Sequence, residues 1–357
     1  MLAKISRYIC GQQIEFKLVT VLMNDRFSML HSLPDGFFDV ESRNIREVFP
    51  QPTLVQLQGE REEVLFVSVL LHGNEFSGLK SLQALLKKYQ HKLPRSLSFF
   101  IGNVEAAEAN LRVLPGQTDF NRCWPGTEMA PNPVSAMMQQ VIEEVASTPL
   151  FAAIDLHNNN GINPHYACMT DVTQQNQHIA AMFNHIAVYF TRPKGVCTMA
   201  FNGICPAVTL ECGKPGDAFG IQHASELLDA LLHLDHFPER AVAAHDLQLV
   251  QTFATLYIPD EVSFDFNLSA QADLTFEQGF ERRNFTEIKT TDVFAFTRIP
   301  NPLSIANQQG EDVTDEYIRV ENGRIYLNKP MMPAMITPDK TIVRQDCLCY
   351  LMSEYQA

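Results

Sequence analysis

His72 and Glu75 stand three positions apart in the turn His72-Gly73-Asn74-Glu75. The turn follows the apolar run Val64-Leu65-Phe66-Val67-Ser68-Val69-Leu70-Leu71. Imidazole nitrogen and carboxylate oxygen are ordinary zinc ligands, and strand ends are where open α/β sheets form their crevices. The pair alone is weak, because a polar loop after a buried strand can hold both residue types by chance. His157 closes a second apolar run, Leu150 to Leu156, and Glu211 closes a third, Ala207 to Leu210. In Asp155-Leu156-His157, the two-residue period of a strand puts Asp155 on the same side as His157. From there its carboxylate can orient a ligand imidazole. Two histidines and one glutamate leave the fourth position of a tetrahedral zinc ion to water, the arrangement of a catalytic site. Metal binding brings the pKa of that water towards neutrality.

A base must take the proton. A carboxylate that closes an apolar strand is partly desolvated, and its pKa rises towards a base's working range. Glu211 fits that description, and reads equally as a surface or N-cap carboxylate at a strand-to-loop boundary. The third component is Asp119-Phe120-Asn121-Arg122, preceded by Arg112. An arginine fork binds a carboxylate through two bonds, and the Asn121 amide adds directional donors. A second arginine near the metal can stabilise an oxyanion. Arg112 reads equally as a solvated loop arginine.

Other reactive side chains have plainer readings. His165 is a loop histidine, since the ligand positions have better candidates. Cys123 has no activating histidine at a spacing that argues for a nucleophile. Cys347 and Cys349 form one pair without a second, which strand alternation explains. Met137 and Met138 are core residues, and Asn158-Asn159-Asn160-Gly161 is the turn after the His157 strand.

The elements that must position these groups alternate between about 64 and 235. Val64 to Leu71 lacks polar alternation, so it is expected to be a strand buried on both faces. Gly59 to Glu63 reads as a polar connection before it. Phe76 to Gln90 has apolar residues at Leu79, Leu82, Leu86 and Tyr89, one face of a helix. Leu97 to Gly102 is a strand, and 104–133 lacks sustained periodicity, as functional loops do. Val134 to Ala146 is an amphipathic helix. Helices at 173–186 and Gly220 to Leu234 alternate with strands at Ala187 to Thr191 and Ala207 to Leu210. Nearer the amino terminus, Ile14 to Met23 and Leu54 to Leu57 read as strands, with a turn at Leu33-Pro34-Asp35-Gly36. The alternation implies an α/β fold with a parallel or mixed sheet covered by helices. After about His245 the helical period fades. Short strands follow at Phe253 to Ile258, Val262 to Phe266 and Asp292 to Thr297, with a hairpin across Asn322-Gly323. The expected division is therefore 1–245 for the α/β domain and 246–357 for a β-rich domain.

The chain of 357 residues is 46% hydrophobic, enough for a substantial core, and carries a net charge of −14. Such an acidic balance argues against nucleic acid or an anionic membrane as partner. No apolar run reaches the roughly 18 residues of a membrane span. Met1 to Cys10 has no apolar segment of leader length. The eight cysteines are dispersed, which suits a reduced, cytoplasmic protein.

Taken in order, His72-Gly73-Asn74-Glu75, Asp119-x-Asn121-Arg122 with Pro125-Gly126, Asp155-Leu156-His157 and Glu211-x-Gly213 resemble the succinylglutamate desuccinylase and aspartoacylase family, within the zinc carboxypeptidase superfamily. The resemblance runs from about 64 to 216. It implies a mixed eight-stranded sheet between helices and a β-rich carboxy-terminal domain that narrows the site entrance. It implies one zinc ion per chain held by His72, Glu75 and His157. Glu211 is then the base that activates water and later protonates the leaving amine. Asn121 and Arg122 bind a substrate carboxylate, and Arg112 polarises the scissile carbonyl. The family also implies a further arginine and a tyrosine from later segments, for which Arg192 and Tyr317 or Tyr326 are available. Asn103-Val104-Glu105 departs from the Asn-Pro that the family often has after the second strand.

Three functions are compatible with this reading. The first is a zinc amidohydrolase acting on a small N-acyl amino acid. The second is a metallocarboxypeptidase acting on short peptides through the same site. The third is a module that holds zinc or a carboxylate without turnover, which would have no use for a base at Glu211. A homo-oligomer is compatible with each.

Overall fold

The strand Gly59–Val69 lies at the centre of the largest sheet in the computed structural model, which describes residues 22–23, 26–89, 92–159 and 161–356. Its alternation divides two cores. Leu65, Val67 and Val69 pack with Leu79, Leu82 and Leu85 of the helix Ser77–Leu86, and with Leu227, Leu228 and Leu231 of the helix Ala218–His233. Phe66 packs on the other face with Phe100, Trp124 and Met137, Met138 and Val141 of the helix Pro133–Val145. Both faces of Val64–Val69 are therefore buried, as a run without polar alternation predicts.

Gly59 to Glu63, expected as a connection, belongs to this strand. Gly59 and Arg61 pair with Leu93 and Arg95, so the backbone ladder continues past the end of the apolar run. The strand Leu93–Ile101 likewise begins earlier than its hydrophobic pattern. The expected loop at 104–133 contains a short helix, Val104–Ala109, whose N-cap Asn103 accepts from the Ala106 N–H at 3.1 Å. Its six residues span less than two turns, too few to show a period. The expected strand Ile14 to Met23 lies outside the described residues except for Leu22–Met23, which are extended. Cys10, Gln90 and Asn160 also lie outside them.

Among the described residues the large sheet has thirteen strands. Eight lie between Ser28 and Glu211, matching the number implied by the family resemblance. From the central strand, the next strand in the chain, Leu93–Ile101, pairs on one side, and Leu150–His157 pairs on the other. This reversal makes a crevice at the carboxyl ends of the strands. Gly59–Val69, Leu150–His157 and Ala207–Glu211 are consecutive and parallel, with Ser68 opposite Asp155 and His157 opposite Glu211.

The sheet continues beyond residue 245. Gln248–Tyr257 pairs in parallel with Ile186–Tyr189 and antiparallel with Cys349–Glu354, which in turn pairs with Met332–Ala334. A second sheet of five short strands holds the expected hairpin, Ile318–Glu321 with Arg324–Leu327. Asn322 and Gly323 have φ of 52° and 73°, as the type I′ turn requires. Apolar residues between Ala254 and Leu351 form a core of their own. No helix among the described residues is long and apolar enough to cross a membrane.

Gly73 fixes how closely the turn after the central strand approaches the helix Val104–Ala109. A Cβ on Gly73 would lie 2.1 Å from the Ala106 carbonyl carbon, so backbone must move to admit it. Gly73→Ala is expected to destabilise the protein by about 1–3 kcal/mol, the usual cost of overpacking. Urea unfolding of variant and parent measures it, and an unchanged midpoint would show that the turn yields freely.

Candidate metal centre and active site

The three parallel strand ends bring His72, Glu75, His157 and Glu211 to one buried place. His72 and Glu75 come from the turn after the central strand, whose chain reverses at Leu70 with φ of 57°. Glu75 lies between the two imidazoles. Its Oε1 is 2.9 Å from His72 Nδ1, and its Oε2 is 2.7 Å from His157 Nδ1. One donor atom from each residue lies within 4.8 Å of the others.

The far nitrogen of each ring is held by a carboxylate. His157 Nε2 is 2.8 Å from Asp155 Oδ2, and His72 Nε2 is 3.1 Å from Asp119 Oδ1. With the Nε2 protons engaged in this way, both Nδ1 atoms are turned towards Glu75. Ser68 Oγ donates to the other oxygen of Asp155 at 2.5 Å, so that carboxylate is fixed from both ends. The Asn158 N–H donates to Glu75 Oε2 at 3.1 Å. Asn158 is more than the turn residue its sequence context suggests. Its side chain accepts from the Ser77 N–H and donates to the Gly213 carbonyl, tying all three strand ends together.

Charge and burial set the protonation tendencies. Burial alone would raise the Glu75 pKa, but the facing His72 and His157 rings outweigh it and hold the carboxyl far below its usual range. Burial would likewise lower His157, yet Asp155 and Glu75 push it well above the usual imidazole value. Positive charge is thus favoured between the rings. Glu211 differs, because burial dominates and Glu75 adds repulsion, raising it to about 7. It accepts one long hydrogen bond, from Asn159 Nδ2 at 3.5 Å. Gly213, two residues on, has φ of +71° and turns the chain away.

Arg112 and Arg122 face the same cavity. Arg112 Nη1 is 3.5 Å from Glu75 Oε1, and its Nη2 is 3.4 Å from Asp119 Oδ2. Asn121 Oδ1 accepts from the Cys197 N–H at 2.9 Å, and its Nδ2 lies 3.0 Å from His157 Nε2. Arg122 Nη1 donates to the Asn121 carbonyl at 2.9 Å, and its Nη2 donates to Asp346 Oδ1 at 3.2 Å.

Asp119, Asp346, Tyr166 and Tyr350 are site residues without an assignment from the sequence. Asp119 stands inside a recognised motif, so its proximity to a ligand could have been suspected. Asp346 is 224 positions from Arg122, and nothing in its neighbourhood marks it. Tyr166, paired in register with Glu211, and Tyr350 line the cavity. Tyr317 packs on Phe253, and Tyr326 lies beneath Arg319, both away from the cavity wall. Arg192 does line the cavity, but its guanidinium is engaged by both oxygens of Glu128, at 2.7 and 2.9 Å. His165 is turned instead to Asp217 and His223, each 3.2 Å away. Cys123 is buried, and burial raises its thiol pKa, which disfavours the nucleophilic thiolate.

Residues 63–234 match the model of the succinylglutamate desuccinylase/aspartoacylase catalytic domain. No curated protein matches the chain by sequence. Among solved structures, the succinylglutamate desuccinylase of Chromobacterium violaceum aligns at 17% identity with a TM-score of 0.55, over 85% of this chain and 89% of its own. That of Vibrio parahaemolyticus aligns at 13% identity and 0.56, over 83% of each chain. A succinylglutamate desuccinylase/aspartoacylase from Rhodobacter sphaeroides aligns at 14% identity and 0.55, over 85% and 89%. The matched stretch and the shared architecture agree: residues 63–234 match the catalytic-domain model of the succinylglutamate desuccinylase/aspartoacylase family, and the chain has the fold of these solved structures.

Proposed function

We propose that this protein is a zinc-dependent hydrolase that cleaves the amide bond of an N-acyl amino acid. One observation carries the reading. Two buried imidazole Nδ1 atoms and a carboxylate converge beside a second buried carboxylate, Glu211, whose pKa is raised to about 7. The donor set fits zinc, being two nitrogens and one oxygen with both rings oriented by acids. His72, Glu75 and His157 would hold one ion per chain. When bound, zinc lowers the pKa of a water ligand and polarises a carbonyl oxygen.

The chain's own groups do the rest. Glu211 accepts a proton from the attacking water at its carboxylate and later delivers it to the leaving amine nitrogen. Its raised pKa suits both transfers near neutrality. Arg112, kept cationic by Asp119, Asp346 and Glu75 against the effect of burial, donates to the carbonyl oxygen as negative charge develops there. Arg122 and the Asn121 amide hold the substrate carboxylate. Tail residues Ala334, Met335, Tyr350 and Met352 line the cavity, and thereby restrict water entry to it.

The test is hydrolysis of a panel of N-acyl amino acids and short peptides, with and without chelator. Cleavage of N-acyl amino acids should stop on chelation and return with zinc, at about one ion per chain. Peptide cleavage alone would replace this reading with a carboxypeptidase. Glu211→Gln should retain the metal and lose about 10²- to 10⁴-fold in kcat. In the parent enzyme the base must be ionised, so kcat/KM should decline as pH falls through the Glu211 titration near 7. A fully active glutamine variant, or a flat acid limb, removes Glu211 from the chemistry.

Asp119→Asn tests the support of His72. Losing the oriented carboxylate should weaken zinc binding about 10- to 100-fold, read by competition with a chromogenic chelator. Unaltered affinity would remove Asp119 from the support of the metal and leave its contacts with Arg112 and the Asn121 N–H.

A further inference from the structure

Asp346 lies between the two arginines that face the cavity. Its Oδ1 takes the Arg122 Nη2 bond at 3.2 Å, and its Oδ2 stands 3.6 Å from Arg112 Nη2. The Tyr350 hydroxyl lies 3.5 Å from the same Oδ1. Asp346 follows the helix Lys340–Gln345, so it is a tail residue reaching into a site built by the catalytic domain. It also borders a second, adjoining cavity, which shares Arg122, Arg192 and Tyr350 with the first.

Count the cations on the wall of the metal cavity. Among the described residues the arginines and lysines lining it are Arg112, Arg122 and Arg192. Arg112 faces Glu75, Asp119 and Asp346, Arg122 faces Asp346, and Arg192 is engaged by Glu128. Each is matched by protein carboxylate before any substrate enters. Arg122 still has N–H donors beyond the two used by Asp346 and the Asn121 carbonyl, since a guanidinium carries five. One substrate carboxylate can therefore dock there. A second would meet the Asp346 charge with no unmatched cation to offset it. Much of the remaining wall is apolar, formed by Val188, Phe190, Val196, Met335 and Met352.

We propose that Asp346 is a specificity-determining residue: by occupying the Arg112–Arg122 pair, it restricts the pocket to N-acyl amino acids with a single carboxylate and an apolar remainder. This rests on the deacylase reading and narrows its substrate class. Acidic N-acyl amino acids are poor substrates because the clamp that would take their second carboxylate is already filled from within.

The experiment uses zinc-loaded full-length protein, with N-acetyl-phenylalanine and N-acetyl-aspartate as matched probes. Binding of acetate and succinate is measured in parallel by calorimetry. The parent should favour the phenylalanine probe in kcat/KM. Asp346→Asn should narrow that preference about tenfold, or about 1.4 kcal/mol, chiefly through KM of the acidic probe. Asp346→Glu should preserve it. Succinate should gain on acetate by a similar factor in Asp346→Asn and not in Asp346→Glu. A parent that prefers the acidic probe overturns the inference, as does an Asp346→Asn protein with both ratios unchanged. If the parent cleaves neither probe, the deacylase reading fails, and the succinate-to-acetate ratio alone decides the role of Asp346. Asp346→Ala provides a second neutralised variant should the asparagine form not fold.

Discussion

The in-register pairing of three parallel strands is the constraint on which the site depends. Ser68 lies opposite Asp155, Asp155 opposite Thr209, and His157 opposite Glu211. Adjacent strands stand about 4.8 Å apart, so residues at matching register arrive within reach of one ion or one substrate without any loop having to find them. A one-residue slip of Leu150–His157 would send His157 and Asp155 to the other face together. Dense apolar packing on both sides prevents the slip. Phe66 and Leu65 are fully buried in different cores, and so are Ala153 and Ala152 of the neighbouring strand. Core packing here is a positional device for the chemistry.

The second organising effect is charge. Glu75, Asp155 and Asp119 surround two buried imidazoles. Isolated buried carboxylates would be costly. Here each is matched by a ring, an arginine or backbone N–H groups, as when Asp119 also accepts from the Asn121 N–H at 2.7 Å. Glu211 is the exception. It sits next to the same rings but receives only the long bond from Asn159, and burial prevails over attraction to His157. Glu75, held ionised, and Glu211, raised to about 7, show how two environments give one residue type opposite protonation tendencies.

Much of this was readable because its signals are local. Val64 to Val69 announces a two-face strand by its lack of polar alternation, and Leu79 and Leu82 announce the helix that covers it. Three of the four short motifs fall at strand ends, where the sheet brings their residues together, and the fourth lies on the short helical turn Phe120–Arg122. What escaped the reading is what local pattern does not encode. Gly59 to Glu63 extend the central strand through backbone pairing, with partly exposed polar side chains that resemble a loop. Val104–Ala109 is too short to show a period. Asp119 acts on a histidine 47 positions away, and Asn158 braces segments from Ser77 to Gly213. Long-range contacts of this kind exist only once the sheet has formed.

The tail shows the same limit more sharply, and residues 63–234 alone do not complete the cavity wall. Gln248–Tyr257 adds to the edge strand Ile186–Tyr189, and through it Cys349–Glu354 and Met332–Ala334 join the same sheet. Because these strands continue the sheet, the two ends of the segment from 334 to 349 are tied by hydrogen-bonded ladder into the sheet that carries His157 and Glu211. That rigidity is what allows an acid at 346 to meet arginines at 112 and 122 within hydrogen-bonding or ion-pairing distance. A flexibly tethered tail would spend conformational entropy to make the same contacts. The cavity wall contributed by the tail is thus built on different strands from the ends that carry His72, Glu75, His157 and Glu211.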